Sequence, residues 1–78
     1  MSNTFKYVKK HKFEDGSELL IIGGIFDNGV KLVPYGVFHK FYINGNETCK
    51  ELHLCETKKH SMKAFHMEKT CYEFEQGF

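Results

Sequence analysis

The chain's 78 residues, 41% of them hydrophobic and 15% aromatic, suit one folded domain over 1–78 and exclude an intrinsically disordered chain. Its formal net charge is +1, and all 11 basic residues are lysine. Strong attraction to a polyanion and bidentate arginine contacts to phosphate are therefore both disfavoured.

The first half of the sequence predicts three antiparallel strands. Residues 4–13 alternate aromatic rings with lysines, which is typical of a half-buried or edge strand. The dipeptide Asp15-Gly16 predicts a tight hairpin turn, and the apolar run from Leu19 to Phe26 predicts a central strand. A second turn leads into β-favouring residues over 30–43, which an Asn-Gly pair closes. We expect an up-down meander.

The second half predicts helical structure packed on these strands. Thr48 and Glu51 fit a capping box at a helix start, and Ser61 is a candidate cap for a second helical segment. The expected fold is therefore α+β: a three-stranded antiparallel meander packed by a helical C-terminal half. The alternative is an all-β small barrel, in which Glu47 to Cys55 and Thr70 to Glu75 are strands.

Cysteine content and the first residues bear on the compartment. Three cysteines are an odd number, which does not suit a secreted disulfide scaffold. No signal peptide is visible, and the longest apolar stretch is far too short for a membrane span. We expect a cytoplasmic protein with no membrane partner. Lysine in place of arginine, with frequent Phe, Asn and Ile, favours a phage or a low-GC bacterium as the source. If the protein is phage-encoded, the expected compartment is the cytoplasm of the host cell.

All the cysteines and three of the five histidines fall between Cys49 and Cys71. Zinc takes four thiolate or imidazole ligands, usually two of them from a Cys-x-x-Cys knuckle, which the sequence lacks. We predict free structural thiols, with no metal and no cofactor, and keep a small zinc-binding domain as the least favoured alternative. The ligand pool in that case is Cys49, His53, Cys55, His66 and Cys71.

No catalytic constellation is apparent. Cys55 is the thiol best placed for activation, because Lys58, Lys59 and His60 follow it. Paired carboxylates, a nucleophile elbow and a phosphate loop are missing, and so short a chain leaves little room for a substrate cleft. We expect no enzyme and assign no catalytic residue.

The first predicted strand also suggests a single-stranded nucleic-acid binder, because rings that stack on bases alternate there with lysines that pair with phosphates. The residues of this alternative are Tyr7, Lys9, Lys10 and Lys12. However, Tyr7 and Phe13 share one parity and Lys10 and Lys12 share the other. We therefore expect the rings to face the core and the lysines to protect an edge strand.

Protein binding needs no motif, and the aromatic content favours it. Four tyrosines, eight phenylalanines and three methionines are more than a core of this size is expected to bury, and such residues are enriched at interfaces. We expect a small non-enzymatic protein-binding module, an inhibitor or modulator of a host protein if phage-encoded, with homodimerisation also open. The predicted contact residues are Tyr35, Phe38, Tyr42, Phe65, Tyr72, Glu73, Glu75 and Phe78.

Overall fold

A computed structural model describes residues 5–75. The elements in chain order are β1 (Lys6–Lys12), β2 (Glu18–Asp27), β3 (Leu32–Ile43), β4 (Asn46–Cys55) and α1 (Lys58–Glu75). The strands form one antiparallel sheet in the order β1-β2-β3-β4, and α1 lies across one face of it. The α+β class is thus confirmed. Within residues 5–75, no helix is long and apolar enough to cross a membrane.

The sheet has a fourth strand where the sequence predicted a helix. Thr48 and Glu51 do not form a capping box; they lie opposite Phe41 and Phe38 on β3. The preceding turn explains the difference, because Asn44 and Gly45 both have positive φ, 52° and 83°, as a tight two-residue hairpin turn requires. That turn returns the chain beside β3, which offers β4 a hydrogen-bonding partner along its length.

The barrel alternative is half right: its strand over Glu47 to Cys55 exists, but Thr70 to Glu75 is helical. The helix also begins earlier than the predicted cap. Thr57 Oγ1 accepts a hydrogen bond from the His60 amide at 3.1 Å, which is the interaction of an N-cap. Ser61 lies inside the helix, fully buried, and its hydroxyl donates to the Lys58 carbonyl oxygen at 2.7 Å.

The core lies between α1 and the sheet. Phe65, with 0% of its surface exposed, packs against Leu19, Ile21 and Val37 on the central strands, and Phe13 closes the same cluster. The prediction that Phe65 remains exposed for a partner is therefore wrong. A helix across a sheet must turn one apolar stripe inward, and Phe65 lies in that stripe.

Candidate protein-binding face

The helix covers only one face of the sheet. The opposite side, called the uncovered face below, carries residues that lie directly across from one another on neighbouring strands and so point to the same side. They form three rows, each running from β1 to β4: Tyr7, Ile22, Gly36 and Leu54; then Lys10, Leu20, Phe38 and Glu51; then Lys12, Glu18, Lys40 and Cys49. Beyond the third row, Tyr42 and Glu47 face each other across β3 and β4.

A β-bulge in β1 determines which residues reach this face. Tyr7 lies across from Ile22 and Lys9 across from Ile21, so Val8 is the extra residue. Val8 packs against the core, whereas Tyr7 is 61% exposed. The prediction that the Tyr7 ring faces the core is wrong, because strict alternation fails at a bulge.

A second irregularity in β4 has a related effect. His53 lies across from Val37 and Glu51 across from Phe38, which leaves Leu52 as the extra residue. Leu52 packs against the core under the helix, and on the same side His53 Nε2 lies 2.7 Å from a Glu68 carboxylate oxygen on α1. Glu51 consequently lies on the uncovered face with its side chain exposed.

The centre of the uncovered face is apolar. Leu20 is only 2% exposed although no helix covers it. The Phe38 ring lies 5.5 Å from the Phe26 ring, which lies 5.6 Å from the Phe5 ring. The Phe38 ring occupies the space above Gly36, because a Cβ at Gly36 would lie 2.5 Å from Cε1 of that ring. The rings of Phe5, Phe26 and Phe38 together form a half-buried cluster, called the aromatic floor below.

The rim of the uncovered face is charged and divided by sign. Exposed Lys10 and Lys12 lie on the β1 side, and exposed Glu47 and Glu51 lie on the β4 side. Between them Lys40 Nζ lies 3.0 Å from Glu18 Oε1.

The pair formed by Lys40 and Glu18 shifts the titration of both groups. Its hydrogen bond raises the pKa of Lys40 and lowers the pKa of Glu18, so both stay ionised near neutral pH. The uncovered face combines an apolar centre with a positive side and a negative side.

The structure places the predicted contact residues in several regions. Phe38 and Tyr42 lie on the uncovered face, but Tyr35 is half-buried on the helix side. Tyr72 also belongs to the helix side, with its ring 4.4 Å from that of Phe13. Glu73 and Glu75 lie near the end of α1. Phe78 is outside the described residues.

The Tyr72 hydroxyl lies at an open groove of about 960 Å³ between α1 and the turn after β1. It donates a hydrogen bond to Asp15, to which Ser17 also donates at 2.7 Å. These bonds, the one from Tyr72 above all, lower the pKa of Asp15 to about 2. The same bond raises the pKa of Tyr72. The groups are thus engaged in holding the helix to the turn.

The centre of the His39 ring lies 4.9 Å from that of Tyr72 and 5.2 Å from that of Phe41. Burial lowers its pKa, and its Nε2 is buried with no hydrogen-bond partner in the described part of the chain. An imidazole that activates a nucleophile needs that nucleophile within hydrogen-bonding distance. The geometry instead suits a neutral aromatic residue of the core margin.

The cysteines and histidines of the zinc alternative lie apart. Cys49 points to the uncovered face, His53 and Cys55 lie on the helix side of β4, and His66 and Cys71 are exposed on α1. Across residues 5–75 there is no group of three or more side chains that could hold a metal ion. Burial is the main cause that raises the pKa of both Cys49 and Cys55, which disfavours the reactive thiolate.

The residues of the nucleic-acid alternative divide between the two faces. Lys9 lies on the helix side, with its ammonium 5.6 Å from the centre of the Phe65 ring. Tyr7, Lys10 and Lys12 share the uncovered face. The sequence pattern misplaced the Tyr7 ring. The bulge at Val8, which brings that ring beside Lys10 and Lys12, carries no sequence signal that would have revealed it.

Comparisons with protein-family models, with curated proteins and with solved structures found no match for the chain.

Proposed function

We propose that the protein is a small non-enzymatic binding module that docks another protein on its uncovered face. The single observation that carries this proposal is the pairing of a half-buried aromatic centre with exposed rings and charges on the one sheet face that α1 leaves open. A module of this kind acts by occupying a surface of its partner, as an inhibitor or modulator does. Phage origin stays a compositional prediction.

The proposed anchors are Phe38 in the centre and Tyr42 at one end. Aromatic side chains supply large contact area at low entropic cost, and a few of them usually carry most of the binding energy. Phe38 is half-buried and its ring lies close over Gly36, so it has less freedom to lose on binding than a fully exposed side chain. The charged rim adds orientation and discrimination between partners.

Capture from an extract of the native cells tests this proposal. Tyr42 and Met67 are 54% and 55% exposed, but they lie on the uncovered face and on α1 respectively, so alanine at each forms a matched pair. We expect the wild type and Met67→Ala to retain the same discrete protein, and Tyr42→Ala to lose about tenfold in affinity for it. Retention that depends on Met67 and not on Tyr42 would overturn the proposal.

Single-stranded nucleic-acid binding is the second candidate, because the bulge at Val8 brings Tyr7, Lys10 and Lys12 onto one open face. Glu47 and Glu51 on the same face, and the neutralisation of Lys40 by Glu18, weigh against it. Recovery of nuclease-sensitive nucleic acid, lost in the Lys10→Glu and Lys12→Glu double variant, would favour this function over protein binding.

A further inference from the structure

We infer that the uncovered face binds a second copy of this chain, forming a two-fold symmetric sandwich of two sheets. The inference rests on the proposed function, which places the binding surface on the uncovered face. It adds the identity of the bound protein, which is the chain itself. It is carried by the middle row, whose order of residues is complementary to itself when reversed, and by two flanking rows that bring no like charges together.

The symmetry follows from how two sheets pack. A two-fold axis running between the sheets and along the mean strand direction places β1 of one copy over β4 of the other, and β2 over β3. Each row then faces its own reverse, because the rotation preserves position along the strands. The usual twist between packed sheets, roughly 30°, is accommodated by tilting the axis.

The middle row gives the strongest complementarity. Lys10 faces Glu51 of the second copy, and Glu51 faces its Lys10, so two equivalent ion pairs form at the rim. Between them the position of Phe38 lies over that of Leu20 in the second copy. Because Leu20 is itself only 2% exposed, the half-buried Phe38 rings make the apolar contact there. Apolar contact in the centre with charged pairs outside it is the arrangement expected of a protein interface.

The flanking rows are compatible with the same arrangement. In one, Tyr7 faces Leu54 of the second copy, an aromatic ring on an aliphatic side chain. In the other, Glu18 faces Lys40 of the second copy, so the ion pair already present within each chain becomes part of a cluster of alternating charges. No row places two like charges directly opposite each other.

The competing two-fold arrangement is disfavoured by charge. An axis perpendicular to the strands would place β1 on β1 and β4 on β4. The lysine side of the face would then meet the lysine side of the second copy, and the glutamate side would meet the glutamate side. With the axis at the level of Lys12, for example, Lys12 faces Lys12 and Glu51 faces Glu47 of the second copy. Like charges brought together at an interface cost several kcal/mol, so the charge order selects the first arrangement.

The area of the uncovered face sets the expected affinity of the dimer. Four strands and four residue levels span about 20 Å by about 20 Å, so a pair buries on the order of 800 Å² in total. Stable complexes usually bury about 1,200 Å² or more. The dimer is therefore weak and forms reversibly as the concentration rises.

Sedimentation velocity tests the inference with the purified chain, from about 10 µM to about 1 mM, the range in which so small an interface is populated. We expect the wild type to pass from monomer to dimer. Lys10→Glu and Glu51→Lys should each dissociate at least about tenfold more readily, because each turns both rim pairs into like-charge contacts. Lys63→Glu, the same charge change at an exposed position on α1, should leave the dissociation constant unchanged.

An equimolar mixture of Lys10→Glu and Glu51→Lys is the decisive sample. In the mixed pair both contacts regain opposite charges, so we expect dimers to return to within about threefold of the wild-type dissociation constant. Circular dichroism of each variant confirms that the fold is retained. A monomeric wild type, equal effects of Lys10→Glu and Lys63→Glu, or no recovery in the mixture would overturn the inference. A monomeric wild type that still captures a different protein through Tyr42 would leave the proposed function standing.

Discussion

The Lys10 ammonium lies 5.1 Å from the centre of the Tyr7 ring, although the two residues are three positions apart on one strand. In a regular strand such residues point to opposite faces. The bulge at Val8 brings them to the same side, and the uncovered face gains an exposed ring beside a positive charge. The bulge is therefore the reason that the β1 side of the face carries both an aromatic ring and positive charge.

The first prediction concerns the core under α1. Phe65→Ala should lower the free energy of unfolding by about 3–5 kcal/mol, because it empties a site that no solvent reaches. Met67→Ala, two residues further along the same helix and more than half exposed, should stay within about 0.5 kcal/mol of the wild type. Urea denaturation followed by circular dichroism measures both. Equal losses in the two variants would show that Phe65 is not the centre of the core.

The second prediction concerns the glycine beneath the aromatic floor. Gly36→Ala should cost about 1–3 kcal/mol of stability, since its methyl group would displace the Phe38 ring. Gly23→Ala on the neighbouring strand is the control, because its Cβ would meet Val8 at 3.4 Å, an ordinary contact. Thermal unfolding should rank Gly36→Ala well below Gly23→Ala. The reverse order would mean that Phe38 does not lie against the Gly36 backbone.

The third prediction concerns acid stability. The pKa of Asp15 falls from 3.8 to about 2 in the folded chain, chiefly through the hydrogen bond from Tyr72. A folded-state pKa below the unfolded value means that the ionised carboxylate stabilises the fold above pH 3.8, and that this contribution is lost as the pH falls through about 2. Tyr72→Phe should therefore be less stable than the wild type at pH 7.

That difference between Tyr72→Phe and the wild type should shrink as the pH is lowered from 4 to 2, because the protonated carboxyl no longer benefits from the bond. Tyr42→Phe, which removes an exposed hydroxyl on the other face, serves as the control and should show no such trend. Urea denaturation at pH 7, 4 and 2 measures the effect. A difference that stays constant with pH would separate Tyr72 from the titration of Asp15.

The fourth prediction concerns metal. The cysteines and histidines of the zinc alternative point to different faces and elements, so purified protein should contain no stoichiometric zinc. A chelator such as EDTA should leave the urea midpoint unchanged, because no folding energy comes from metal binding. Elemental analysis that finds one zinc per chain, together with unfolding in the chelator, would contradict this.

The sequence predicted most of the fold through local signals. Alternation and turn dipeptides located the first three strands, since the Asp-Gly and Asn-Gly turns need positive φ angles that few other residues accept. The same Asn-Gly pair should have outweighed the capping box at Thr48 and Glu51. A capping box stabilises one helix end, whereas a hairpin return gives a whole strand its partner.

The candidate site was harder to predict because it depends on which side of the sheet each residue faces. One extra residue reverses that side for everything beyond it, and neither Val8 nor Leu52 differs from an ordinary strand residue. Phe65 shows a further limit: on α1 it follows Ala64 and precedes His66, and only the direction of the helix across the sheet decides that it is the one buried. Long-range packing fixes that direction.

The most direct test of the uncovered face is a dilution series of the isotope-labelled wild-type protein followed by amide NMR. Between about 1 mM and about 10 µM, a range that populates and empties a weak interface, we expect shift changes at residues of the uncovered face such as Lys10, Phe38 and Glu51. Amide resonances of residues on the outer side of α1, such as Lys63 and Met67, should keep their chemical shifts. Shift changes confined to α1, or none at any concentration, would contradict the assignment of this face as the site where the chain binds another copy of itself.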